Sequence, residues 1–223
     1  MSPTEQDFMH KKYLEFIGAV TASLSHDVNN VLAIIRETAG LLEDYAYAQE
    51  QGRAPDQEKQ KQATGRIGAQ TVRGAELVGL LNRFAHSMNM TDQEFNAVDA
   101  FNTITALCLR FAVLKKAQLR TLCKAEEIFL KGRSIDLMHL VYRCIELALM
   151  DAKPGAGIDA VLEEEDGGAR VLISCTGCGA GREGFKSKAA FIAKLAELNA
   201  STALVKTDGN ELKEIDILFA SVS

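Results

Sequence analysis

No window of about eighteen residues in this chain is free of charge, so no membrane-crossing helix is expected. No basic cluster stands out. Twenty-five Lys and Arg stand against 30 Asp and Glu, a net charge of −5, so no nucleic-acid partner is expected either. The first residues, Met1 to Asp7, lack the basic and apolar regions of a secretory leader. Cysteine is sparse and odd in number. Cys108, Cys123, Cys144, Cys175 and Cys178 lie at irregular spacing, which fits reduced thiols in a cytoplasm better than a disulfide framework. What is present is ordinary for a globular protein: 47% apolar and 25% charged residues in 223 positions, enough for one large domain or two small ones.

Helical periodicity dominates the first third. Ile17, Leu24, Val28, Val31, Ile35 and Leu42 fall at helical spacings and predict one buried stripe. The helix is expected from about Glu5 to about Gln51, with Thr4 as its N-cap and Glu5 and Asp7 in the first turn. Gly52, Pro55 and the polar run from Asp56 to Gln62 mark a turn, part of that run already opening a second helix. Ile67, Val72, Leu77, Leu80, Leu81 and Phe84 are its apolar positions. Two such helices cannot bury their stripes alone. A hairpin from a second chain would complete a four-helix bundle; the alternative is the C-terminal half packing back on the hairpin.

The rest reads differently. Met88 to Phe95 is a linker, Ala100 to Val113 a helix, and Gln118 to Cys123 and Ile128 to Leu130 are strands. Ser134 caps a helix from Ile135 to Asp151, and Lys153 to Gly157 is a loop. Ile158 to Glu164 and Arg170 to Cys175 form a hairpin about Asp166-Gly167-Gly168. A helix from Ser187 to Leu198 and strands Ala203 to Lys206 and Lys213 to Ala220 finish the chain. The fold class is α+β: a helical hairpin, then an α/β sandwich with one mixed sheet and helices on one face.

His26 lies off the apolar stripe and is therefore exposed. Asn30 is one turn on, Asp27 is adjacent, and Ala22 and Ala33 leave room for a partner to approach. The run Ser25-His26-Asp27-Val28-Asn29-Asn30 resembles the phospho-acceptor box of bacterial sensor histidine kinases, with Val31 where a proline is usual. The run Arg73 to Ala85, with Leu77, Leu80, Leu81 and Phe84, resembles the second dimerisation helix of the same family. The element order after about residue 90 is similar to that family's ATP-binding domain and the related GHKL ATPases. The resemblance implies two domains, 1–90 for dimerisation and histidine phosphotransfer and 91–223 for an ATPase-like domain.

Where that family holds ATP, the chain departs from it. Tyr142 and Glu146 stand at the positions of two asparagines that hold magnesium and phosphates. Cys175 stands where an Asp accepts the adenine amino group, while Gly177 and Gly179 of the same motif remain. Only Ala180 to Lys186 is left of the lid. The resemblance therefore implies a degenerate nucleotide site that binds no ATP, and a histidine phosphotransferase of a phosphorelay. His26 would exchange a phosphoryl group with the aspartate of response-regulator receiver domains. Asp27 would orient the ring or take its proton, and Asn30 would bind the transferring group or a water. Ala22, Asn29, Ala33, Ile34 and Glu37 would meet the receiver, which brings its own Mg²⁺; the chain itself needs no cofactor. The alternatives are an ATP-dependent kinase with an unusual site, and an adaptor or phosphatase of a receiver domain. His10, His86 and His139 have no partner motif. Cys175-Thr176-Gly177-Cys178 is a C-x-x-C without a second pair, best explained as the altered glycine motif. The acidic run Glu163 to Asp166 reads as a solvated hairpin end.

Overall fold

The computed structural model describes residues 3–53, 56–88 and 93–220. It forms two compact units, 1–83 and 84–223.

The first unit is built from α1 (Pro3–Glu50) and most of α2 (Gln57–Met88). Helix α1 already includes Thr4, so that residue is not the boundary the sequence suggested. Its end is set by Gly52, whose φ of +78° is the left-handed conformation that stops helices. The amides of Gly52 and Arg53 turn back onto the carbonyls of Gln49 and Ala48. Pro55, expected in this turn, lies outside the described residues. Asp56 caps α2: its Oδ1 accepts the Lys59 amide at 3.1 Å.

The apolar stripe of α1 needs correcting. Its buried row is Phe16, Val20, Leu24, Val31 and Thr38. Of the expected stripe only Leu24 and Val31 belong to it; Ile17, Val28, Ile35 and Leu42 stay half-exposed one row over. The two rows diverge slowly because seven residues fall short of two full turns at about 3.6 residues each. On α2, Ala63 and Leu80 are buried. Gly74 of α2 faces Val31 of α1.

The second unit holds a five-stranded sheet in the order β2-β4-β5-β7-β6. Its strands are β2 (Gln118–Cys123), β4 (Ala152–Glu165), β5 (Gly168–Gly179), β6 (Ser201–Asp208) and β7 (Glu211–Phe219). Only β2 and β4 run parallel. The β4–β5 hairpin turns through Asp166 and Gly167, both at positive φ, as a two-residue turn of matching twist requires. A second, two-stranded sheet was not expected: β1 (Gln93–Asn96) pairs antiparallel with β3 (Phe129–Gly132). Part of the supposed linker is thus a strand; residues 89–92 of it lie outside the described residues. The supposed loop at Lys153 to Gly157 is likewise the irregular start of β4.

Helices α3 (Ala97–Leu114), α4 (Ser134–Leu149) and α5 (Phe185–Leu198) complete the unit. Alternate residues such as Ile158, Ala160 and Leu162 on β4, Val171 and Ile173 on β5, and Ile215 and Ile217 on β7 are buried. The opposite face carries ion pairs between neighbouring strands, Arg120–Asp159, Arg170–Asp216 and Lys206–Glu214. Ser134 does not cap α4 from outside but is its first residue; Arg133 precedes it and pairs with Asp136. Among the described residues α3 alone is long and apolar enough to cross a membrane, but it is a core helix, with Phe101, Ile104 and Leu107 buried and α4 and β2 as neighbours.

Candidate functional site

Helix α1 carries the first candidate site. At about 100° per residue, Ala22, Asn29, Asn30, Ala33, Ile34 and Glu37 all fall on the side of the helix that bears His26. His26 and Asn30 are exposed, and Asn30 Nδ2 lies 2.9 Å from His26 Nδ1. Asp27 is half-buried at the edge of this face. Ala22, Asn29 and Glu37 are exposed, and Ala33 and Ile34 are half-buried. The expected residues are therefore together, because one uninterrupted helix carries them all. The hydrogen bond leaves two chemical options. A ring that accepts at Nδ1 holds its proton on Nε2; a ring protonated at Nδ1 needs the amide turned to offer its oxygen.

The five residues expected at a degenerate nucleotide site divide into two groups. Tyr142 and Glu146 line a cavity of about 590 Å³ between α3 and α4, with Cys108, Phe111, Ile145 and Leu149. Cys175, Gly177 and Gly179 do not line it; they follow one another along the end of β5.

Glu146, in the wall of this cavity, is held by two cations. Arg143 is 8% exposed, and its Nη1 donates to Glu146 Oε2 at 3.0 Å. Its Nε donates to His139 Nε2 at 3.1 Å, which places the ring proton on Nδ1. Burial, then the Arg143 charge, pushes His139 down to about 3, so it is a neutral acceptor. Lys188 of α5 donates to the other Glu146 oxygen at 3.1 Å. The guanidinium also lies over the rings of Tyr142 and Phe191. Burial pushes the Tyr142 hydroxyl up.

Along β5, Cys175 is buried and sits opposite Ile158. Gly177 has φ +72°, a left-handed conformation that other residues rarely adopt. A Cβ on Gly179 would collide with the Asp151 carboxylate. Each glycine thus has a local reason, backbone conformation at Gly177 and crowding at Gly179. Only five residues, 180–184, join β5 to α5. Among the described residues no three His, Cys, Asp or Glu side chains gather as metal ligands. Sequence reading missed Arg143 and Lys188. The three-residue spacing of Arg143 and Glu146 on one helix was the available signal; Lys188 had none.

No protein-family model and no curated protein matches the chain. Among solved structures it is similar to a bacterial phosphotransferase, at 13% identity over 92% of this chain and 96% of that one, TM-score 0.49. It is similar to the Acinetobacter baumannii histidine kinase AdeS, at 12% identity over 89% and 98%, TM-score 0.48. It is similar to the catalytic domain of the histidine kinase ThkA, at 11% identity over 58% and 95%, TM-score 0.49. Likeness at this level assigns no activity to the chain.

Proposed function

We propose that the chain is a histidine phosphotransferase of a phosphorelay, exchanging a phosphoryl group between His26 and the aspartate of receiver domains without ATP. The observation that carries this reading is the exposed His26 ring engaged at Nδ1 by Asn30. With Nδ1 engaged, Nε2 is the nucleophile. Its lone pair is available when the ring proton sits on Nδ1, and Asn30, its amide turned from the orientation with Nδ2 toward the ring, then accepts that proton's hydrogen bond through its oxygen. Nε2 attacks the acyl phosphate in line; the N–P bond forms, the P–O bond breaks, and the receiver carboxylate leaves. Asp27 offsets the positive charge that grows on the ring. Such transfer depends chiefly on positioning and charge neutralisation, and the receiver supplies Mg²⁺.

The altered second unit supports independence from ATP. Cys175 offers no carboxylate to adenine, and Glu146 is already bound by Arg143 and Lys188. The half-exposed row Ile17, Val28, Ile35 and Leu42, with Leu77 and Leu81 on α2, supports a homodimer through the hairpin. Five free thiols fit a cytoplasmic protein. The deciding experiment incubates the full chain with phosphorylated receiver domains from the same genome. Acid-labile, base-stable label on His26 is the expected result; loss of receiver phosphate without label on the chain would instead indicate a phosphatase.

A further inference from the structure

The 590 Å³ cavity between α3 and α4 has two unlike halves. Its inner wall is apolar. Cys108 of α3 and Ile145 and Leu149 of α4 are buried there, with the half-buried Phe111 beside them. Phe111 meets the Tyr142 ring edge to face, centroids 5.9 Å apart, and this contact fixes one side of the space. The mouth is exposed and charged. Helix α3 ends there at Leu114, and Lys115, Arg182 and Glu183 stand around the opening. Leu114 is 66% exposed, an apolar side chain left at the lip of the cavity.

Charge at the mouth is unbalanced. Among the described residues neither Lys115 nor Arg182 enters an ion pair; Arg182 Nη1 donates at 2.6 Å to the carbonyl of Met150, a neutral partner. Deeper in, Glu146 already holds both Arg143 and Lys188. Four cations, Lys115, Arg143, Arg182 and Lys188, thus stand against two carboxylates, Glu146 and Glu183. The C-terminal ends of α3 and α4 each bring roughly half a negative charge. What remains is an excess of about one positive charge, in a chain whose net charge is −5.

We propose that this cavity binds a small amphipathic monocarboxylate, its hydrocarbon body against Ile145 and Leu149 and its carboxylate at the mouth beside Lys115 and Arg182. The volume lies within the range of small-molecule sites, which are mostly apolar with a few polar groups that orient the ligand. The body gains by leaving water for an apolar wall. The carboxylate stays at the solvent edge, where it loses little hydration and meets two cations that no carboxylate of the protein neutralises. One negative charge balances the mouth. A polyphosphate would bring several, against Glu146 and Glu183.

The proposal stands apart from the phosphotransfer reading, and its test uses no receiver. Octanoate is titrated into the full chain by calorimetry at low salt. It should occupy one site per chain with a dissociation constant of about 100 μM or tighter, as expected of a ligand this small. Octan-1-ol has the same body without the charge and should bind about tenfold more weakly; octyltrimethylammonium should be weaker still. Leu114→Asp puts a carboxylate at the lip, at a position exposed enough to spare the fold, and should weaken octanoate by about tenfold. Lys115→Glu should weaken octanoate while leaving octan-1-ol unchanged. Absence of saturable binding up to about 5 mM would overturn the proposal. So would several octanoates per chain, octyltrimethylammonium binding as tightly as octanoate, or Leu114→Asp binding octanoate like the wild type. The comparison of the three probes uses the wild-type chain alone and decides the charge preference even if a variant misfolds.

Discussion

Gly74 of α2 stands so close to Val31 of α1 that a Cβ on it would lie 3.2 Å from Val31 Cγ1. Among the described residues the hairpin has no other glycine in such a position. Gly65 and Gly68 on the same helix have nothing within 4 Å. Gly65→Ala should therefore stabilise the protein by up to about 1 kcal/mol through helix propensity alone. Gly74→Leu should destabilise it by about 1–3 kcal/mol, because extra volume has nowhere to go against a buried valine. Urea unfolding of the two variants checks the difference; equal effects would mean that the contact does not set the helix separation.

The half-exposed row one position over from the Val31 seam gives the second prediction. Leu77→Asp and Leu81→Asp should each convert a homodimer to monomer at micromolar concentration. Either would place an unpaired carboxylate in the bundle that the proposed second copy would complete. Light scattering that finds wild type already monomeric would refute the dimer.

His139 makes stability depend on pH. Its folded value is held near 3 while the unfolded ring titrates near 6.5. Below about pH 6.5 the unfolded chain binds a proton that the folded chain refuses. Stability is thus flat above that pH and falls as pH drops toward 3, by on the order of a few kcal/mol. His139→Gln keeps an acceptor for Arg143 and removes the titration. Melting temperatures from pH 7 to 4 should fall less steeply for this variant than for wild type.

How much of this was legible in the sequence depended on how far apart the partners lie. The β4–β5 turn was readable because Asp166-Gly167 specifies it locally, and the His26–Asn30 pair was readable because one helical turn brings those positions together. β1 was not, since its pairing is to β3, more than thirty residues on. The row of α1 was misread by one position because Ile17 and Phe16 fit helical spacing equally well; packing against α2 and its surroundings decides between them. Glu146 was singled out for what it lacks. Its actual partner Lys188 lies 42 residues away, a tertiary fact with no local sign.

That ion cluster yields the fourth prediction. Mg²⁺–ATP should show no saturable binding at millimolar concentration, because Glu146 at the cavity is already held by Arg143 and Lys188. Glu146→Ala should cost about 1–3 kcal/mol, since it strips the buried Arg143 guanidinium of its carboxylate. Saturable ATP binding by calorimetry would overturn this account of the cavity.

The last prediction separates the roles around His26. His26→Ala should abolish label transfer while changing stability by no more than about 0.5 kcal/mol, because the ring is exposed. Asp27→Asn should slow transfer without stopping it, since the receiver's metal still neutralises the phosphoryl charge. Asn30 is the sharper test, because its amide can both donate and accept at Nδ1. Asn30→Asp can only accept, which favours the tautomer with its lone pair on Nε2, so phosphoryl uptake should persist. Asn30→Ala removes the restraint on the ring and should slow uptake by about ten- to a hundred-fold. Ala33→Trp, on the same side of the helix as His26, should block transfer by bulk alone while His26 stays intact. Rapid-quench measurement of phosphoryl transfer from a labelled receiver reads all five. Label on His26→Ala would disprove the site, normal transfer by Ala33→Trp would disprove the docking face, and equal loss in Asn30→Asp and Asn30→Ala would disprove the tautomer argument.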